Sequence, residues 1–260
     1  MPETQRSGGE AAPGPSLPRA VLRDIRKRYG AVDALRGVTL ELGPGRVVGL
    51  VGDNAAGKST LMKVLAGAVI PDSGDIVIDG EPVSFSSPRD ARAARIEMVY
   101  QDLALCDDLD VARNLFLGRE PTRRGFLDGP TMHREARRHL EDLGIRLPST
   151  RSTVRDLSGG QRQAVAIARA VTFEPRLLIM DEPTAALAVK EVETVLELIR
   201  RLAAGGVSVI LITHRLQDLF TVCDDLAVMY EGTMRALLDA RSTSLEELVR
   251  HIVGSERAAA

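Results

Sequence analysis

Tryptophan is absent from the 260 residues, aromatic side chains of all kinds make up 3% of them, and there are only two cysteines, Cys106 and Cys223. Two thiols are too few for a disulfide framework and lack metal-ligand spacing, so both are expected to pack as ordinary thiols in a reducing compartment. An excess of one charge is missing too. Thirty-four basic against 36 acidic side chains leave a formal net charge of -2, which implies no sequence-independent grip on nucleic acid or on an anionic membrane. No apolar run approaches the ~18 residues that cross a bilayer; the longest, Val207 to Ile212, is of strand length. The opening, Met1 to Arg19, is rich in Pro, Gly and Ser and has no signal-peptide apolar stretch, so a disordered tail and a cytoplasmic protein are expected. What is present is 44% hydrophobic, enough to bury the core of one large domain or of a core domain with an inserted subdomain.

The pattern of runs and turns divides the chain. Short β-type runs (Val21–Ile25, Val38–Leu42, Arg46–Leu50) alternate with turn signals at Tyr29-Gly30 and Gly43-Pro44-Gly45, which predicts a sheet-rich opening. Val47–Val51, a Gly-bounded loop and a helix over Lys58–Ala68 form a βα unit, followed by strand-like runs Asp75–Ile78 and Pro82–Phe85 around Asp79-Gly80. Between Gln101 and Val154 helical spacing takes over, in Val111–Leu117 and Thr131–Leu143, which reads as a helical insertion; acidic residues interrupt the Arg-rich face of the second helix, as on a solvated surface. From Gln161 the order becomes helix (to Phe173), strand (Arg176–Met180), helix (Val189–Ala204), strand (Val207–Thr213), helix (Arg215–Thr221) and strand (Leu226–Tyr230). Such alternation means a parallel sheet covered on both faces. An amphipathic helix over Ser242–Val253 with a Ser N-cap, then an unstructured end from Ser255, close the chain.

Three local patterns carry chemistry. Gly52-Asp53-Asn54-Ala55-Ala56-Gly57-Lys58-Ser59 fits G-x-x-x-x-G-K-[ST] between an apolar strand and a helix start. Small residues let successive N–H groups face one concavity, the helix N-terminus adds positive potential, Lys58 reaches the β and γ phosphates, and Ser59 can ligate Mg²⁺. With four lysines against thirty arginines in the chain, a lysine here is not a compositional habit. Second, the apolar strand Leu178-Ile179-Met180 ends in Asp181 and Glu182, which puts two carboxylates at the C-terminal edge of a parallel sheet beside the phosphate loop. Asp181 would hold the metal and Glu182 would orient or deprotonate the attacking water, although an acidic turn before the next helix is an alternative. Third, Leu157-Ser158-Gly159-Gly160-Gln161 opens a helix, where a hydroxyl and backbone donors can meet a phosphate or simply cap the helix.

Phosphate loop, Leu-Ser-Gly-Gly-Gln and Asp-Glu strand in this order resemble the ATP-binding cassette (ABC) family, in particular the nucleotide-binding subunit of a transporter, over Val21 to Gly254. The resemblance implies an α/β P-loop NTPase core with a mostly parallel sheet, an N-terminal antiparallel β subdomain and a helical subdomain over about residues 101–157, the whole domain covering 20–254. It assigns Tyr29 to adenine stacking and Gly52 to Thr60 (Gly52, Asp53, Asn54, Ala55, Ala56, Gly57, Lys58, Ser59, Thr60) to the phosphates. Gln101 would contact Mg²⁺ and couple to a membrane subunit, Ser158, Gly159, Gly160 and Gln161 would form the signature, and His214 after Ile212-Thr213 would be the γ-phosphate switch. ATP would lie between the phosphate loop of one subunit and the signature of another, so a second ATPase subunit, permease subunits and, through them, a solute-binding protein are the implied partners, with the chain peripheral on the inner face of the membrane. Leu103, Leu105, Leu109 and Phe116 would line a docking groove or form the insertion's own core. No nucleic-acid partner is implied.

A narrower resemblance, to bacterial ribose-, xylose- and fructose-type importer ATPases, rests on Met98-Val99-Tyr100-Gln101-Asp102-Leu103-Ala104-Leu105, Asn114-Leu115-Phe116-Leu117-Gly118-Arg119-Glu120 and Asp181-Glu182-Pro183-Thr184-Ala185-Ala186-Leu187. The expected function is ATP hydrolysis driving import of a monosaccharide; the alternatives are the ATPase of another importer or of an exporter, and a non-transport cassette ATPase. The last would carry a long coiled-coil or zinc insertion, or two cassettes in one chain; a P-loop small-molecule kinase would lack Leu-Ser-Gly-Gly-Gln. Two residues depart from the family pattern. Ala55 replaces a usual Gly, with strain of ~1 kcal/mol expected if the position needs positive φ. Ala188 replaces the Asp of many cassettes, and altered coupling between sites is expected.

Overall fold

The computed structural model describes residues 17–185 and 187–253; the greater part of the expected N-terminal tail and all of the C-terminal one lie outside the described residues. The Arg19 N–H donates to Leu42 O at 2.8 Å. β1 (Ala20–Tyr29) and β2 (Val32–Leu42) pair antiparallel with Tyr29 opposite Val32. After β3 (Val47–Val51) and α1 (Lys58–Leu65) come β4 (Ser73–Ile78) and β5 (Glu81–Val83), which complete a four-stranded antiparallel sheet in the order β2-β1-β4-β5. α2 (Pro88–Ala93) leads to β6 (Ile96–Val99). The helical insertion follows with α3 (Val111–Leu115), the small hairpin β7 (Thr122–Arg123) and β8 (Phe126–Leu127), and α4 (Gly129–Asp142), and α5 (Gly159–Val171) leads out of it. The remainder is β9 (Leu177–Asp181), α6 (Val189–Ala204), β10 (Ser208–Ile212), α7 (Leu216–Val222), β11 (Asp225–Tyr230), β12 (Thr233–Asp239) and α8 (Leu245–Val253).

The central sheet runs β12-β11-β3-β10-β9-β6, parallel throughout except for the antiparallel edge strand β12. Its inner strands read as largely apolar runs because both faces are covered, and the period of two still sorts them. Leu177, Ile179, Ile210 and Ile212 face the core shared with α1 and the N-terminal sheet, whereas Leu178, Met180, Val209 and Leu211 face the core shared with α5, α6 and α7. A third cluster belongs to the insertion: Val111, Leu115 and Phe116 pack on Met132, Ala136 and Leu140, and Val165 and Ala168 of α5 join it. Helix α5 therefore serves two cores at once, since its Ala166 and Ile167 belong to the sheet. Phe116 is part of the insertion core, not of an open groove.

Several boundaries move for local reasons. The last helix is capped by Ser244, whose Oγ accepts the Glu247 N–H at 3.1 Å, and not by Ser242. Helix α1 stops at Leu65 because Gly67 turns at φ +70° against the Ser87 carbonyl. Cys223 is buried, with its thiol pushed up by burial, while Cys106 is exposed. Among the described residues no helix is long and apolar enough to cross a membrane.

Candidate nucleotide site

Parallel strands deliver their C-terminal ends to one edge, and the phosphate loop leaves that edge from the sheet centre. Gly52 and Gly57 are fixed there by contact: a Cβ on Gly52 would lie 2.2 Å from Met229 O, and one on Gly57, at φ +93°, would lie 2.5 Å from Ala34 O. Ala55 is absent from the positive-φ residues, so it fits the loop without the strain expected from the missing glycine. No side chain caps α1, which leaves the first-turn N–H groups to the concavity. Lys58, 9% exposed, folds back over the loop and donates from Nζ to Gly52 O (2.7 Å) and Asp53 O (2.9 Å). Burial lowers its ammonium pKa, an effect opposed by the carboxylates of Asp53, Glu182 and Asp181. Asp53 Oδ1 accepts the Asn54 N–H, and Ser59 is exposed. Tyr29, at the end of β1 and 47% exposed with Lys27 Nζ 5.7 Å from its ring centroid, pairs with Val32 at the start of β2, the strand whose Ala34 carbonyl packs against Gly57.

β9 sits between β10 and β6, and each of these neighbours feeds a candidate residue to the same edge. Asp181 closes β9 and Glu182 follows in the left-handed region at φ +53°, a conformation rare for a side chain this long. The Glu182 side chain is 8% exposed; its Oε1 stands 3.2 Å from His214 Nε2 yet makes no hydrogen bond, and its Oε2 accepts the His214 N–H at 3.4 Å. Burial raises both carboxyl pKa values, against the nearby positive charge of Lys58 and of His214 when protonated. Gln101, two positions beyond β6, lines with Glu182, Gly159 and Gln163 a cleft of about 290 Å³. Ser59, Asp181 and Gln101 offer a hydroxyl, a carboxylate and an amide oxygen, a donor set that suits a hard divalent cation such as Mg²⁺.

The signature opens α5. Ser158 is its N-cap: its Oγ accepts the Gln161 N–H at 3.3 Å while Gln161 Oε1 accepts the Ser158 N–H at 3.0 Å.

Three further residues support these loops. Thr184 Oγ1 donates to Asp218 Oδ2 at 2.8 Å with both side chains buried, which ties the segment after Glu182 to helix α7 just beyond His214. Glu191, in the first turn of α6, accepts from Ala188 N–H, Gly160 N–H and Ser158 Oγ. A Glu three residues after the start of a helix is a capping signal, and since Ala188 has no side-chain acceptor only the Glu half of that box can form. Nothing local in the sequence pairs Thr184 with Asp218.

Comparison with known proteins gives the same site a family. The model described as ABC transporter matches residues 35–185, more than half of the chain. The xylose/arabinose import ATP-binding protein XylG of Sulfolobus acidocaldarius is 48% identical over 227 residues, 87% of this chain and 90% of that protein. The fructose import ATP-binding protein FrcA of Rhizobium meliloti is 41% identical, covering 92% of this chain and 95% of that protein. The dimeric, post-hydrolysis structure of the ATP-binding cassette MJ0796 with ADP and Pi superposes with a TM-score of 0.72 at 25% identity, over 86% of this chain and all of that one. Phosphate loop, Asp-Glu strand and signature thus stand on the architecture their order implied, and the chain belongs to the ABC transporter family as one of its ATP-binding cassettes.

Proposed function

We propose that the chain hydrolyses ATP at sites shared between two cassettes and that this drives import of a monosaccharide through partner permease subunits. The observation that carries the hydrolytic reading is Glu182: a buried carboxylate with one oxygen free of hydrogen bonds, set beside His214 and within the charge field of Lys58 at the sheet edge that holds the phosphate loop. The loop amides and Lys58 bind the β and γ phosphates, and Tyr29 offers its face to adenine. Glu182 Oε1 accepts a proton from water as the water oxygen bonds to the γ phosphorus and the bond to the β–γ bridging oxygen breaks, releasing ADP and phosphate. His214 contacts the γ-phosphate and keeps Glu182 oriented. Ser59, Asp181 and Gln101 would hold Mg²⁺, which supplies charge neutralisation on the phosphates when bound.

The sugar follows from the names of XylG and FrcA, and the pairing of cassettes from the dimeric MJ0796. Permease subunits, a solute-binding protein and a place at the inner membrane face belong to the same proposal, as do the 20–254 extent of the domain and the helical subdomain over about 101–157.

A mixing experiment tests the shared site. Chains carrying Lys58→Ala or Ser158→Arg are each expected to be inactive; in mixed two-fold dimers both defects fall on one site, so mixing restores up to about a quarter of the sites. Phosphate release that stays at background in the mixture, with no trapped ATP, refutes sharing.

A further inference from the structure

In the shared site the donors that meet the partner's γ-phosphate are those of the signature, and in the single chain they already face an anion. The Ser158 hydroxyl donates to Glu191 Oε1 at 3.0 Å and the Gly160 N–H donates to the same oxygen at 3.1 Å, while Glu191 Oε2 accepts the Ala188 N–H at 3.1 Å. A Cβ on Gly160 would lie 2.6 Å from Cγ and Cδ of Glu191, so the second glycine of the signature is what lets this carboxylate lie against the amide. The three hydrogen bonds hold the Glu191 carboxyl below its ordinary range, so it is ionised at neutral pH.

A serine hydroxyl has one proton. Directed at Glu191, it cannot also be directed at a phosphate, and a carboxylate touching the Gly160 amide repels a phosphate approaching that amide. We propose that Glu191 is an intramolecular anion that holds the signature donors until the γ-phosphate of a nucleotide on a second copy displaces it, so that it sets how much ATP is needed to close the dimer. The proposal rests on the shared-site reading. Glu191 also borders an open cleft of about 720 Å³, lined by Arg146, Lys190 and Arg201 together with Glu193 and Glu197, which gives the displaced carboxylate open space to move into. Ala188 fits the same picture: with no oxygen of its own to cap α6, it leaves the helix start to Glu191, and displacement of the carboxylate frees the Ala188 N–H as well.

The test uses the full chain carrying Glu182→Gln to block turnover, with ATP-driven dimerisation followed by light scattering at fixed protein concentration. Adding Glu191→Gln keeps the shape and removes the charge; exchanging charge-assisted for neutral hydrogen bonds predicts dimerisation at about fivefold lower ATP. Glu193→Gln, a carboxylate lining the same cleft with no hydrogen bond to the signature, is expected to leave the midpoint unchanged, as is the ATP affinity of dilute monomer in either variant. A Glu191→Gln midpoint that is unchanged or higher overturns the proposal, since the carboxylate would then support the signature instead of restraining it. An equal shift from Glu193→Gln also overturns it, as a general charge effect. If the Glu182→Gln parent binds ATP but forms no dimer at any concentration, the shared-site reading falls and the proposal with it.

Discussion

Glu182→Gln separates what the buried carboxylate does for chemistry from what it does to the fold. In the folded chain one of its oxygens is buried without a hydrogen bond, and burial raises the carboxyl pKa above its ordinary value of 4.5. A group raised in this way contributes its full stability only below the unfolded-state value and loses it as pH rises through the folded-state value, because the folded chain holds the proton more tightly. The Glu182 contribution to the parent's stability is therefore expected to fall from about pH 4.5 upward and then level off, whereas the Gln variant has nothing to titrate at this position. Above the folded-state pKa the carboxylate holds a buried charge that the amide of the variant does not; charged groups short of partners cost about 1–3 kcal/mol or more. At roughly 2–4 °C per kcal/mol for a chain of this size class, its Tm is expected to exceed the parent's by several degrees at pH 7.5 and to converge with it toward pH 4.5. Turnover should fall by ~10²-fold or more, with ATP binding retained. Scanning calorimetry across this pH range, with phosphate release alongside, measures both. A Tm difference that does not change with pH, or a less stable variant at pH 7.5, refutes the reasoning; undiminished phosphate release removes Glu182 as the base.

Gly57→Ala places a Cβ 2.5 Å from Ala34 O at a φ of +93°, and is expected to lower Tm and abolish ATP binding, measured by calorimetry and a fluorescent nucleotide; a normal Kd would show that the loop tolerates a shift. Thr184→Val leaves buried Asp218 short of a donor, expected to cost about 1.5–3 kcal/mol and to reduce kcat, while Thr184→Ser should match the parent in both; equal behaviour of Val and Ser removes the hydroxyl from the account.

The phosphate loop was legible in the sequence because each requirement is local: the strand before it, the two glycines and the lysine are contiguous. The strands β3, β9, β10 and β11 were legible for a related reason, since strands buried on both faces leave unbroken apolar runs. The edges of the sheet were not. Ile96–Val99 carries Glu97 in its middle and is four residues long, so no period marks it as the strand that places Gln101. Thr233–Asp239 alternates between half-exposed and exposed positions, because an antiparallel edge strand covers little. The Thr184–Asp218 bond and the contact of Glu191 with the signature join residues far apart in the chain, and no spacing rule connects them.

The position of Lys58 makes nucleotide binding an exchange of partners. Its ammonium already satisfies the carbonyls of Gly52 and Asp53, so a ligand gains from this lysine only by offering oxygens that replace both. A nucleoside without phosphates offers no such oxygens and leaves the ammonium where it lies. A polyphosphate can draw it out, because charge-assisted bonds to phosphate are stronger than those to peptide carbonyls. Selectivity at this loop is thus a toll on the phosphate tail, set by bonds the chain makes with itself.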